Sequence, residues 1–540
     1  MASNVQIAAF RIQPSPCPIL HNSAQFRACT KLKRVPTDLL AGLEAWKTRF
    51  GVSHPAPLHR LLAAAATHRF TRPDQLIRLH ESLLFLRAYP ADAEVFRLTG
   101  ALLSSFAQRI AAVADLEPFE AAEVSGISGT SFSAVFSYEV AAQLATRYPR
   151  AIEIDWDNWD GIEKLGPVLR RLLPLVAEDW PVEAHVPFRA WIDAVRPRGQ
   201  SALAWLLGRI PADLYDSLEL LLLWKIGRAS RSTAHLAVKK PFFHDVPLLR
   251  RADISLAAEL AAPPLPVTRL PKLEARRVLD LIVDTSAVRY RELYGFTHPD
   301  VNRVYRAGAG RGVQIVFFGV PPAWRLPLRA YHAGMFFKNG VPAGYVETLS
   351  LCDRVEIGFN LYYTFREGES AWIYARLLRL FRQILGARCF SVDPYQVGLE
   401  NEEALDSGAF WFYRKLGFRP VDPEAAKLAT REEGRFRRQP GYRSSRRTLE
   451  KLAHSYMIYE CADAEPGVWD RFRVRTLALR FATLGGGDAL LRRISADWSA
   501  DDKAAVEAII TAKNNSDETR YLRLMQRCTR LRTAIVELGS

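Results

Sequence analysis

Asp406-Ser-Gly-Ala409-Phe-Trp-Phe-Tyr413-Arg-Lys-Leu-Gly417-Phe418 decides which fold this chain adopts. The aromatic run, closed by two cations and a glycine, reads as a short helix over 409–416. Gly417 then serves as its left-handed end residue, a conformation that a residue without Cβ adopts freely. A strand is expected over 418–421. Upstream, Ile373, Leu377, Leu378, Phe381 and Leu385 recur at helical spacing over 371–385, with Gly386 as the stop. Between the two helices, 388–392 reads as a strand. Further back, 313–320, 330–338, 341–351 and 354–365 alternate or run with β-branched and aromatic residues. Lys338-Asn-Gly340 joins two of them with a dipeptide suited to a tight hairpin. The expected order is β-β-β-β-α-β-α-β, a mixed sheet in an α+β protein.

The junction from strand to helix reads Glu367-Gly-Glu-Ser370. Backbone N–H groups at a helix start, made approachable by glycine, suit an anion such as a pyrophosphate. Together with 406–418, this region resembles the GNAT N-acetyltransferase superfamily, where N-x-x-A-x-x-x-Y-x-x-x-G-F closes the acyl-CoA site. In that comparison 341–346 is similar to the family's third strand, 355–365 to its fourth, and 371–385 to the helix after the pyrophosphate loop. The resemblance spans about residues 313–422. It departs in two places: Phe365-Arg-Glu-Gly368-Glu-Ser370 keeps only the central glycine of R/Q-x-x-G-x-G/A, and Asp406 stands for the usual asparagine.

The resemblance implies acyl transfer from a thioester to an amine, with acetyl-CoA or another acyl-CoA as co-substrate. The acceptor would be an amine-bearing small molecule or protein. Glu356 matches the base that takes a proton from the ammonium, with Glu347 as the alternative. Backbone N–H groups near Asn360 and Leu361 would polarise the thioester carbonyl. Tyr413 matches the acid that protonates the leaving thiolate. Arg366, Glu367, Gly368, Glu369, Ser370 and Ala371 would line the cofactor's phosphates, with Asp406 near the cofactor. The alternative is an inactive member of the fold, acting as a binding or scaffold protein.

Around this domain, expected over 273–425, the chain divides by texture. An irregular arm over 1–37 precedes a mainly helical region over 38–262, where Leu76, Leu79, Leu83 and Leu86 show helical spacing. The proline-rich stretch 263–272 reads as a linker. Residues 426–448 read as an Arg-rich connector and 449–540 as a helical tail. The region between helices at 151–155 reads as a short strand.

Composition sets the outer limits. The chain has 540 residues, a formal net charge of +15 and 24% charged residues, enough apolar content to fold and too much for general disorder. No apolar run approaches the ~20 residues of a membrane span. With no signal pattern at the start, a cytoplasmic protein is expected. The six cysteines lie far apart, which argues against a disulfide framework or a cysteine zinc site. Asp155 to Gly161 lacks the spacing of a calcium loop, and His235 and His244 lack a third ligand, so no metal site is expected. Nucleic acid is not the expected partner: basic residues are spread along the chain, and the arginines of 431–447 have few interleaved aromatics.

Overall fold

The computed structural model describes residues 36–51, 55–289, 292–515 and 517–540, with side chains from Leu39 onward. The arm expected over 1–37 lies outside the described residues, apart from the start of the first helix, Pro36–Ala45. The chain is a mixed α+β structure, 50% helix and 14% strand.

The N-terminal helices pack around α1 (Pro73–Ala88), whose Leu76, Leu79, Leu83 and Leu86 are all buried, as their spacing requires. The region over 38–262 is not purely helical. It holds a three-stranded antiparallel sheet of β1 (Ser131–Val135), β2 (Ile152–Ile154) and β3 (Leu221–Lys225), in the order β1-β3-β2. β2 is the short strand read in the sequence. β1 and β3 fall where helix was expected, at the two ends of tracts over 130–148 and 201–226. In β3 the buried residues are Leu222 and Trp224, a period of two hidden inside an all-apolar run.

A nine-stranded sheet follows, in the order β11-β12-β10-β9-β8-β7-β6-β5-β4. Its strands are β4 (Val267–Arg269), β5 (Val304–Gly310), β6 (Val313–Gly319), β7 (Ala330–Lys338), β8 (Val341–Leu351), β9 (Arg354–Leu361), β10 (Cys389–Val392), β11 (Arg419–Pro420) and β12 (Met457–Glu460). β6 to β11 lie where the sequence placed strands. The β7–β8 turn carries Asn339 at φ +45° and Gly340 at φ +82°, the left-handed pair of a tight hairpin. Every strand pair is antiparallel among the described residues except β9 with β10.

Helices cover both faces. α2 (Lys272–Ala287) packs on Val316, Phe318, Ala333 and Met335, and α3 (Ser370–Leu385) on Ile315, Phe317, Phe336 and Val346, the alternate residues of the same strands. α4 (Ala409–Lys415), α5 (Pro423–Arg438) and α6 (Glu518–Arg527) complete the α3 side.

Three boundaries need correction. Residues 263–272 are no linker: β4 pairs with β5, and Leu265 exchanges backbone bonds of 2.8 and 3.0 Å with the Gln383 side chain of α3. Proline is tolerated there because an edge strand leaves some N–H positions unpaired. The connector expected over 426–448 is largely α5, with Ala425, Ala429 and Glu432 buried. The tail over 449–540 is not only helical, since β12 inserts between β10 and β11.

The sheet is tied to the N-terminal helices by a buried charge. Glu369, at the start of α3, is fully buried and meets Lys338 Nζ at 3.0 Å and Arg311 Nε at 2.8 Å. The Leu249 N–H donates to the same carboxylate at 3.2 Å. Lys338 also donates to the Arg311 carbonyl at 2.6 Å and lies 4.5 Å from the Tyr89 ring. Burial pulls the Lys338 ammonium down to about 8, while Glu369 holds it charged. For Glu369, burial favours the neutral acid, but Lys338 and Arg311 outweigh it and hold the carboxyl below its usual range.

Removing the anion strands two cations in the core. Glu369→Gln is expected to lower unfolding stability by about 3–5 kcal/mol. Adding Lys338→Met should restore part of that loss. Urea unfolding of the two variants, read as a double-mutant cycle, measures both.

Candidate active site

The parallel pairing of β9 and β10 covers only Arg354–Glu356 against Cys389–Ser391. Beyond it the strands part. Asp393 caps the short helix Pro394–Val397, its Oδ1 accepting from the Tyr395 N–H at 2.9 Å. That turn brings Gln396 Oε1 to 3.3 Å from the Phe359 N–H, where a neighbouring strand would otherwise pair. Gly358 stands at the parting. A Cβ there would be in ordinary contact with Gln396 Nε2 at 3.8 Å and Glu347 Cβ at 4.0 Å, so the room that Gly358 leaves between those side chains is about that of a methyl group.

Glu347 lies directly across from Gly358 on β8. The Tyr331 hydroxyl donates to its Oε1 and accepts from the Gly295 N–H at 3.1 Å. Burial pushes the Glu347 carboxyl up to about 7, and the bond from Tyr331 pulls back only part of that shift. A half-buried carboxyl poised near neutrality, beside a gap, has the properties of a general base.

Glu356 is placed differently. Arg329 Nη1 reaches its Oε1 at 3.2 Å and Arg354 Nη2 its Oε2 at 3.3 Å. Both of its oxygens are engaged by guanidinium groups, whereas Glu347 meets only the Tyr331 hydroxyl. Sequence reasoning missed Tyr331 and Gln396. Tyr331 had a signal, because it pairs with Leu349 and so sits diagonally across from Glu347 on the same face. Gln396 had none, since its position depends on the turn after β10.

Tyr413 lies on α4, buried, with its ring 5.6 Å from Tyr374 of α3 and 5.8 Å from Phe418. Burial raises its hydroxyl above the usual range, so it stays protonated. The adjacent Phe412 stacks on Phe359 at 6.3 Å, which brings α4 against the parted end of β9. Asn360 and Leu361, half-buried, are the last residues of β9 and pair with Tyr345 and Gly344. A Cβ at Gly344 would overlap the Asn360 carbonyl oxygen, so only glycine permits this close approach.

The loop residues are not brought together as a phosphate cradle would require. Arg366 forms an ion pair with Glu403 and Glu367 is exposed. A Cβ at Gly368 would overlap the Tyr89 hydroxyl, and that hydroxyl accepts from the Glu369 N–H at 3.2 Å. Glu369 turns inward to Lys338 and Arg311, away from any phosphate. Ser370 opens α3, and Ala371 is buried behind it. Asp406 is exposed on the helix Glu402–Ser407, 3.8 Å from Arg446, and takes no part in the gap.

Other sequence features resolve locally. Asp155 accepts from the Ser133 hydroxyl and from the Asn158 amide, which makes it a turn cap. His235 Nε2 lies 3.1 Å from the Arg231 carbonyl, and His244 sits among Phe50, Tyr89 and Phe242. No three His, Cys, Asp or Glu side chains gather as metal ligands among the described residues. No helix among them is long and apolar enough to cross a membrane.

Comparison with known proteins returned no matching family model, no similar curated protein and no similar solved structure.

The raised pKa of Glu347 has a stability consequence with a definite sign. The folded state holds this proton more tightly than the unfolded chain, so its contribution is complete below about 4.5 and is lost as pH rises through about 7. Relative to Glu347→Gln, the parent should lose stability with a slope approaching about 1.4 kcal/mol per pH unit inside that window. Urea unfolding of both proteins at several pH values tests it.

Proposed function

We propose that this chain is an acyl-CoA-dependent N-acyltransferase built on a GNAT-like sheet. One observation carries the proposal: the one parallel strand pair among the described residues, β9 with β10, separates after three residues beside the half-buried carboxyl of Glu347. Separated parallel strands offer unpaired backbone N–H groups to an extended thioester and a channel to its carbonyl.

In this reading each group has one task. The acceptor ammonium gives its proton to Glu347, whose proton affinity near neutrality suits removal without wasteful ionisation. The free amine attacks the thioester carbonyl and forms a C–N bond. The tetrahedral oxyanion is stabilised by N–H groups at the end of β9, around Asn360 and Leu361. The C–S bond then breaks as Tyr413, held as the neutral phenol, gives its proton to the thiolate, and the nitrogen of the new amide gives up its second proton, which restores the phenol. Tyr331 positions Glu347 through its hydroxyl. Arg366 would have to leave its ion pair with Glu403 to meet the cofactor's phosphates.

A second reading, a binding or scaffold protein without turnover, is favoured by the same loop. Tyr89 closes over Gly368, and Glu369 is committed to the core, which leaves little of a phosphate cradle. Calorimetric titration with acetyl-CoA, followed by thiol release in the presence of a panel of amines, separates the two. For the enzyme, acetyl-CoA binds saturably at micromolar strength. Glu347→Gln should then lower thiol release by about 10²-fold or more with unchanged acetyl-CoA affinity. Binding without thiol release for any amine, or no binding of acetyl-CoA and longer acyl-CoA, overturns the transferase in favour of the scaffold.

A further inference from the structure

On the sheet face away from Glu347 lies a cavity of about 310 Å³, between β5, β6, β7, α3 and the start of α6. It shares a strand with the gap but not a face: Tyr331 points toward Glu347, and its neighbour His332 lines the cavity.

The floor holds polar atoms that the protein leaves unanswered. Glu518 is 2% exposed and His332 6%. Glu518 Oε1 accepts from Lys513 Nζ at 2.6 Å, while Oε2 has no hydrogen-bond partner among the described residues. His332 Nδ1 has none either. Beside them, Asp517 Oδ1 accepts from the Thr519 N–H and hydroxyl, both at 2.9 Å. Its Oδ2 has only a long contact of 3.4 Å from the Tyr305 hydroxyl. Buried acceptors without donors are unfavourable, and native proteins rarely leave two in one place.

The rim has the opposite sign. Arg523 is exposed at the mouth, and Arg303 is half-buried there, 3.6 Å from Asp300. The wall between floor and rim is apolar and aromatic, with Tyr305 stacked on Phe317 at 5.3 Å and Ile384 of α3 beside them. The volume is at the small end of ligand sites, enough for a metabolite of amino-acid size.

We infer that this cavity binds a small zwitterion, its primary ammonium seated on Glu518, His332 and Asp517 and its carboxylate held at the rim by Arg303 and Arg523. An ammonium carries three donors and no acceptor, which matches Glu518 Oε2, Asp517 Oδ2 and, with its ring proton on Nε2, His332 Nδ1. Guanidinium groups pair with a carboxylate in the plane of both groups, which matches the rim. The inference stands on the cavity and does not rest on the acyl-transfer reading.

The test is calorimetric titration of the full chain with glycine, β-alanine, γ-aminobutyrate and L-lysine, with methylamine and acetate as single-charge probes. At least one zwitterion is expected to bind saturably, and neither single-charge probe should match it. Arg523→Glu, at an exposed position that the fold does not need, should weaken that binding tenfold or more. Glu518→Gln should do the same, provided its circular dichroism is unchanged. The inference is overturned if no zwitterion binds, if binding is unaltered in Arg523→Glu, or if methylamine or acetate binds as tightly as the best zwitterion.

Discussion

The carboxylate of Glu369, buried between Lys338 and Arg311, is the constraint around which the sheet and the N-terminal helices are assembled. A buried anion is tolerated only when paired and fully hydrogen-bonded. Its partners come from three places, the hairpin between β7 and β8, the turn between β5 and β6, and the 249 segment, while the backbone N–H of the same residue donates to the Tyr89 hydroxyl at the end of α1. Asn339 extends the same knot, its amide donating to the carbonyls of Ala88 at 2.8 Å and Phe242 at 2.9 Å. These contacts hold only if every segment is in place together. A second buried network reinforces the seam, with Glu81 of α1 meeting Arg231 at 3.0 Å and the Thr364 hydroxyl.

This knot also explains why the start of α3 differs from what its glycine suggests. A glycine at a helix entrance leaves room for a phosphate. Here the room is taken by Tyr89, a residue almost 280 positions earlier in the chain. Under the acyl-transfer proposal the chemistry lies instead in the interior of the sheet, where β9 and β10 part. There unlike neighbours separate two carboxylates on adjacent strands: Glu347 meets a phenol, and Glu356 meets two guanidinium groups. Burial raises the proton affinity of Glu347.

Legibility in the sequence followed the range of the interactions involved. β6 to β9 and α3 were readable because their apolar residues repeat at two and at three to four positions, and because Asn339-Gly340 and Gly386 carry positive φ. β4 was not, since Val267–Arg269 is short and set among prolines. β12 was not, because its place between β10 and β11 is determined by partners 40 to 70 residues away. α5 was obscured by its arginines, which face solvent while Ala425, Ala429 and Glu432 form the buried stripe. At the site, Glu347 was named as the second choice, and only the ion pairs of Glu356 show why it should be the first.

By itself the sequence determined the periods, the turns and the helix ends of the central sheet, because those depend on φ preferences and side-chain spacing within a few residues. It also determined which residue types were available at the site. The tertiary structure alone decided what each of them can do. Whether a carboxyl is a base, an ion-pair anchor or a keystone depends on desolvation and on charges brought near from distant parts of the chain, and no local pattern encodes that distance.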